Sequence, residues 1–255
     1  MTPPAPDGGA RVVGSDRVLA VLIQLAEHPE GATLDQLAAA VASPKPTVHR
    51  ALTSLRKVGL AAQLARGVYI LGDEFIRLAL RNVADRPEAA LVTPALERLS
   101  ARFGETAHYA VLDGADVVYR AKTDPPAGAV RLTSVVGGRN PAYRTAVGKL
   151  LLSWSVTSLD ELIALLGPGP LERKTPNTLS DPQAIWEECQ AIRTQGYAVD
   201  DQENELGINC VAVPVRIDPQ LPVTGAISVS ALAFRLPLDV LVRSVPEILS
   251  IVSAT

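Results

Sequence analysis

Residues 42–55 read “ASPKPTVHRALTSL”, and whether this stretch is a helix decides the fold of the N-terminal half. Pro44 and Pro46 stand at its mouth, where a helix interior would not tolerate them. The first turn of a helix has backbone N–H groups without intrahelical partners, so proline forfeits no helical hydrogen bond there. With Ser43 as N-cap, Pro44 becomes the first helical residue and Pro46 the third. Pro46 also pushes Lys45 away from the α region, which favours a start one or two residues later. At about 100° per residue, Val48, Leu52 and Leu55 share one face and suit a core. Ser43, Thr47, Arg50 and Ser54 share the opposite face, flanked by Lys45 and His49. Short hydroxyls and a guanidinium near a helix N-terminus are the groups a recognition helix offers to a major groove and its phosphates.

The neighbouring residues supply the rest of a small domain. “SDRVLAVLIQLAEHPEG” has helical spacing in Val18, Leu22 and Leu25, with Ser15 or Asp16 able to cap it. In “TLDQLAAAV”, Thr33 and Gln36 have capping-box spacing, and Leu34, Leu37, Ala38 and Val41 form an apolar face. The short connection to the quoted stretch makes a helix-turn-helix. “GLAAQLARGVYILG” then reads as strands 60–64 and 68–71 around a tip at Ala65-Arg66-Gly67, which predicts a winged helix-turn-helix with Arg66 on the wing. Charge agrees: from Gln36 to Gly72 there is no acid, but there are five bases, Lys45, Arg50, Arg56, Lys57 and Arg66, in a chain whose net charge is −3. A locally basic module in a mildly acidic protein suits a polyanion partner. A solvated face, or a small protein-interaction domain, is the plainer alternative.

The composition is globular, with 47% hydrophobic and 20% charged residues. No apolar run reaches the length of a membrane span, and the N-terminal “MTPPAPDGGARVVG” lacks the apolar core of a secretory signal and reads as a flexible tail. Cys189 and Cys210 are the only cysteines, without zinc-type spacing. A cytosolic protein without membrane attachment, metal or cofactor is the simplest reading.

Beyond residue 72 the pattern is mixed. “DEFIRLALRN” reads as a linker helix, ended by “VADRP”, and “PEAALVTPALERLSARFG” as a helix with a kink or restart at Pro94. “ETAHYAVLD” and “DVVYRAK” form a hairpin, and “AVRLTS” (129–134) a third strand. “GGRNPAY” is a loop opening a helix from Ala146 to Trp154. Helices in “SLDELIALLG” and “DPQAIWEECQAIRTQG”, strands in “YAVDD”, “NCVAVPVRI” and “VTGAISVSAL”, and a C-terminal helix in “PLDVLVRSVPEILSIVSA” complete the chain. Strands and helices without regular βαβ alternation argue for α+β.

“TAVGKL” fails as a phosphate loop, because GxxxxGK requires glycine where Tyr143 stands. Cys210 with His108 is the single nucleophile–base pairing available, which makes an enzyme with an accessory winged helix the alternative from another class. Ser228 and Ser230 share one strand face. They either face solvent or, if inward, take hydrogen bonds from a polar ligand.

“HPEGATLDQLAAAVASPKPTVHRALTSLRKVGLA” with “GVYILG” resembles the N-terminal domain of the isocitrate lyase regulator (IclR) family of bacterial transcription regulators. “RFGETAHYAVLDGADVVY”, “VGGRNPAYRTAVGKLLLSW”, “TPNTLSDPQAI”, “GYAVDDQENELGINCVAVPV” and “GAISVSAL” resemble successive blocks of that family's effector-binding domain. The resemblance runs from about Val13 to Val252. It implies a tail over 1–12, a winged helix-turn-helix over 13–72, a linker helix over 73–85 and a profilin-like or GAF-like α+β effector-binding domain over 86–255. It also implies a homodimer or dimer of dimers on a palindromic double-stranded DNA operator, repressing or activating by operator position. The implied effector is a small organic acid or aromatic compound. The matching pocket positions are Ala146 and Val147 at a helix start, Asp200, Ile208 and Cys210, Ser228 and Ser230, with Leu132 and Asn140 on the loop side. Asp200 either binds a ligand hydroxyl or holds the loop “DDQENELG”, and no Arg or Lys is committed to the pocket. Pro46 departs from the serine more common in the family.

Overall fold

A computed structural model describes residues 14–84, 87–125, 132–216 and 223–253; the expected tail over 1–12 lies outside them. Two compact units divide between Arg86 and Pro87.

In the first unit, α1 (Gly14–Ala26), β1 (Ala32–Thr33), α2 (Leu34–Ala40) and α3 (Lys45–Lys57) precede a hairpin of β2 (Ala61–Ala65) and β3 (Val68–Leu71), followed by α4 (Asp73–Ala84). The strands form an antiparallel sheet in the order β1-β3-β2. Val21 and Leu25 of α1, Leu37 of α2, and Val48, Leu52 and Leu55 of α3 close one core with Tyr69. Each of these aliphatic side chains contributes about 1.5–3 kcal/mol by leaving water. The Thr33–Gln36 capping box forms as the spacing predicts, satisfying donors at the start of α2. Two local expectations need correcting. Ser15 and Asp16 lie within the first turn of α1, which already runs from Gly14, so neither caps it. Pro44, not Ser43, is the N-cap of α3, and Pro46 occupies its second position. Ser43 is taken by the preceding turn: its N–H donates to the Ala38 carbonyl and its hydroxyl to the Val41 carbonyl. Thr47 and Val48 N–H both donate to the Pro44 carbonyl, which defines the start of the helix.

The second unit opens with α5 (Pro87–Phe103), which runs through Pro94 as one helix. It continues with β4 (Thr106–Asp113), β5 (Asp116–Thr123), β6 (Arg139–Pro141), a 3-10 turn (Ala142–Arg144), α6 (Ala146–Ser155), α7 (Leu159–Leu166), α8 (Pro182–Gln195), β7 (Ala198–Asp201), β8 (Ile208–Val215), β9 (Gly225–Leu232), α9 (Leu238–Arg243) and α10 (Val245–Ser253). The six strands form an antiparallel sheet in the order β6-β5-β4-β9-β8-β7. This is the α+β architecture the mixed pattern predicts.

The third strand, however, is not at 129–134. Residues 129–131 lie outside the described residues, and Leu132–Ser134 are irregular. The edge strand is Arg139–Pro141, read from sequence as loop, because three polar or proline residues show no alternation and pair on one side only, with β5. The C-terminal helix is also two helices, parted at Ser244. Pro246 has no N–H to give the Val242 carbonyl, so the first helix cannot continue through it.

Strand alternation separates two cores. Val211, Val213, Ile227 and Val229 face α5 and α10. Ala110, Ala212 and Ala226 face α6 and α8. A bulge in β5 between its pairings with Tyr109 and Ala110 changes the phase, leaving Tyr119 and Lys122 on the same side despite their odd separation. Among the described residues no helix is long and apolar enough to cross a membrane.

Candidate ligand cavity and nucleic-acid interface

On the α6 side of the sheet, strand register gathers polar residues that lie far apart in sequence. Asp200 pairs with Cys210, Cys210 with Ser230, and Ser230 with Thr106, making one row across β7, β8, β9 and β4. Ser228, His108 and Lys122 form the adjacent row. Above them lies a cavity of about 240 Å³. All nine residues matched to the pocket line it: Leu132, Asn140, Ala146, Val147, Asp200, Ile208, Cys210, Ser228 and Ser230. The serines are 3% and 4% exposed, so they do not form a solvent face.

The start of α6 supplies donors. Thr145 caps the helix, its hydroxyl accepting from Gly148 N–H at 3.0 Å. The N–H groups of Ala146 and Val147 belong to the first turn, lack intrahelical acceptors, and sit at the positive end of the helix dipole. Such a terminus on a cavity wall favours an anion.

Asp200 is 2% exposed. Its Oδ1 accepts from Glu203 N–H at 2.7 Å and Asn204 N–H at 3.3 Å, so it holds the β7–β8 loop and lines the cavity at once. Burial, reinforced by the nearby Glu203 charge, raises its carboxyl to about 7. Beneath it lies Lys149, 1% exposed, paired with Glu203 and, at 3.3 Å, with Glu188.

His108 enters the cavity as a neutral group. Its Nε2 lies 2.7 Å from Ser134 Oγ and its Nδ1 3.3 Å from Ser230 Oγ, and its ring centre is 4.9 Å from that of Tyr119. Burial first, then the charge of Lys122, pushes its pKa down to about 3. Lys122 donates to the carbonyls of Leu132 and Ser134 at 2.9 and 2.7 Å, so both residues tie the 132–138 loop to the sheet. The Cys210–His108 pair of the enzyme alternative is not set up for nucleophilic attack. Both ring nitrogens of His108 are engaged by serines, and burial raises the Cys210 thiol well above its ordinary range, so no thiolate–base pair is assembled.

Two cations that the sequence does not commit to the pocket, Arg139 and Lys174, line it. Arg139 pairs with Asp113 and, at 4.0 Å, with Asp116, whereas Lys174 is exposed at the rim. Tyr119 and Ser134 line the cavity as well, beyond the positions matched from sequence. The signal for Tyr119 was its place on the strand that pairs with His108's; Ser134 sits in an irregular segment and offered none.

In the first unit the apolar face of α3 is buried, while Lys45, His49, Arg50 and Ser54 are exposed and Thr47 is half-buried. Ser43 is half-buried in the turn before the helix, and Arg66 is exposed in the β2–β3 turn. Lys45 pairs with Asp35 at 2.9 Å, which offsets part of its charge. Pro44 and Pro46 carry no N–H, and Thr47 N–H is used by the Pro44 carbonyl. Lys45 N–H is thus the donor left at the first turn.

The model of the “Bacterial transcriptional regulator IclR C-terminal” domain matches residues 83–254, and that of the “IclR helix-turn-helix domain” matches residues 15–65. The chain is 34% identical over 215 residues to the Pca regulon regulatory protein of Pseudomonas putida, covering 84% of this chain and 72% of that protein. It is 34% identical over 203 residues to the HTH-type transcriptional regulator KdgR of Escherichia coli (strain K12), covering 78% and 74%. The crystal structure of an IclR transcriptional regulator from Alicyclobacillus acidocaldarius superposes with a TM-score of 0.76 at 26% identity, covering 93% of this chain and 97% of that one.

Proposed function

The chain belongs to the IclR family of bacterial transcription regulators, and from this premise we propose that it binds a palindromic operator as a homo-oligomer and releases or grips it according to a small organic molecule in the second unit's cavity. It is a regulator with a DNA-binding helix-turn-helix and an effector-binding domain, not an enzyme.

The observation that carries the effector half is the meeting of the α6 N-terminus with buried hydroxyl, imidazole and carboxyl groups around one 240 Å³ space. That volume lies below the roughly 300–1,000 Å³ of pockets for drug-sized ligands, which favours a small organic acid or a single-ring compound. Ala146 and Val147 N–H groups suit its carboxylate; Ser228, Ser230 and Asn140 suit its other polar atoms. The DNA half is supported by the exposed Arg50, His49 and Ser54 on α3 and Arg66 on the wing. In a dimer or dimer of dimers, α4 is the linker whose arrangement would set the spacing of two recognition helices on half-sites about one helical turn, or a multiple of it, apart.

The test is a gel shift on DNA flanking the protein's own gene, with random duplex as control, at two salt concentrations. Binding that random duplex does not match, and its modulation by an added organic acid, is the expected result. Arg50→Ala should reduce the salt slope by roughly one unit. Equal, salt-independent behaviour of Arg50→Ala and the parent would overturn the assignment of α3 as the phosphate-contacting helix.

A further inference from the structure

Three carboxylates crowd one ammonium beneath the cavity. Lys149 of α6, fully buried, meets Glu203 of the β7–β8 loop and Glu188 of α8. Asp200, also buried, stands in the same field, yet the partners of its Oδ1 are backbone N–H groups and no ion pair joins it to a cation among the described residues. Oε2 of Glu203 is buried without a hydrogen-bond partner among the described residues. If all three acids are ionised, the cluster is left with an excess of buried negative charge, which a low-dielectric interior resists. A proton is the simplest remedy. Glu203 and Glu188 each pair directly with Lys149, whereas Asp200 has no ion pair to a cation among the described residues and lines the cavity, so the proton falls to Asp200.

We propose that the cavity takes up an organic anion together with one proton, the proton residing on Asp200, whose neutral carboxyl group donates a hydrogen bond to the bound anion. This rests on the reading of the cavity as the effector site. An ionised Asp200 would repel an anion drawn in by the Ala146 and Val147 N–H groups; a protonated one is a donor facing it.

The other groups around Asp200 do not account for such a proton. From β4, His108 titrates at about 3; from β5, Tyr119 titrates at about 12. The Cys210 thiol of β8 is raised well above its ordinary range, and Lys149 is raised above its own by Glu203 and Glu188. At the rim, Lys174 and Glu205 are exposed and of opposite charge. Asp200, near 7, is the cavity group that changes charge around neutrality.

The experiment has two arms on the full-length protein. Without ligand, infrared difference spectra between pH 6 and pH 9 should show a protonated-carboxyl band at pH 6 that Asp200→Asn removes. With benzoate and succinate as probes, calorimetry in two buffers of different ionisation enthalpy should show affinity about tenfold weaker at pH 8 than at pH 6, because only the protonated fraction binds. Close to one proton should enter per site at pH 8. Asp200→Asn should bind with the same affinity at both pH values. A missing band overturns the proton on Asp200, whatever binds. Affinity that rises with pH, or a wild-type pH dependence retained by Asp200→Asn, overturns its coupling to the anion. The band present with neither probe bound at either pH overturns the anion uptake and counts against the effector-site reading itself, leaving the proton as a property of the apo fold.

Discussion

Gly148 packs directly on Ala142: a Cβ at Gly148 would lie 2.2 Å from the Ala142 carbonyl oxygen and 2.4 Å from its Cα. Both are backbone atoms, which cannot swing away as a side-chain end would. The contact seats the first turn of α6 on the 3-10 turn, and so sets where the Ala146 and Val147 N–H groups meet the cavity. Gly148→Ala must therefore shift α6. Overpacking of this kind costs about 1–3 kcal/mol, and here it should also weaken anion binding. Urea unfolding together with a binding titration checks this; an unchanged midpoint and affinity would mean that α6 is not held by that contact.

Lys149→Met keeps most of the side-chain volume and removes only the ammonium. Glu203 and Glu188 then face each other and Asp200 without a counter-charge. Breaking a buried pair from one side costs about 3–5 kcal/mol, which should appear as a lower denaturation midpoint. Adding Glu203→Leu to Lys149→Met should recover part of the loss, since it removes the stranded charge.

Asp200 should make the apo protein less stable as the pH rises. In the unfolded chain it ionises near pH 3.9, and in the folded one near 7. Between those values the folded state holds the extra proton, so the stability it contributes is complete below about pH 4 and lost as the pH climbs to 7. From pH 5 to pH 8 this single group removes about 2–3 kcal/mol. Asp200→Asn retains an oxygen for the Glu203 and Asn204 N–H groups and cannot ionise. Its unfolding free energy relative to the parent should therefore rise by that amount between pH 5 and pH 8. A constant difference would place the folded carboxyl near its ordinary pKa.

Local pattern made much of this protein legible. The i, i+4, i+7 apolar positions of α3, the Thr33–Gln36 spacing and the strand pair around Arg66-Gly67 are all settled within a few residues of chain. Even the shared face of Ser228 and Ser230 follows from strand geometry. Legibility ended where a local rule had a tertiary competitor. Ser43 is a good N-cap residue, but its donors were already committed to the end of α2. Arg139–Pro141 has no strand signature and becomes an edge strand because β5 offers an open side. Arg139 and Lys174 reach the cavity from segments whose sequence points nowhere in particular.

By itself the sequence determined the elements, their faces and the order of a winged helix-turn-helix before an α+β domain, because helical and strand periods are properties of consecutive residues. Tertiary structure decided the chemistry of the cavity. The register of β7, β8, β9 and β4 sets Asp200 beside Cys210 and Ser230, and His108 beside Ser228. Burial then keeps the imidazole neutral, raises the carboxyl and leaves Lys149 as the shared counter-ion of Glu203 and Glu188. The charge a group carries depends on how much water and which charges surround it in space, and those neighbours come from strands and helices that the chain's order keeps far apart.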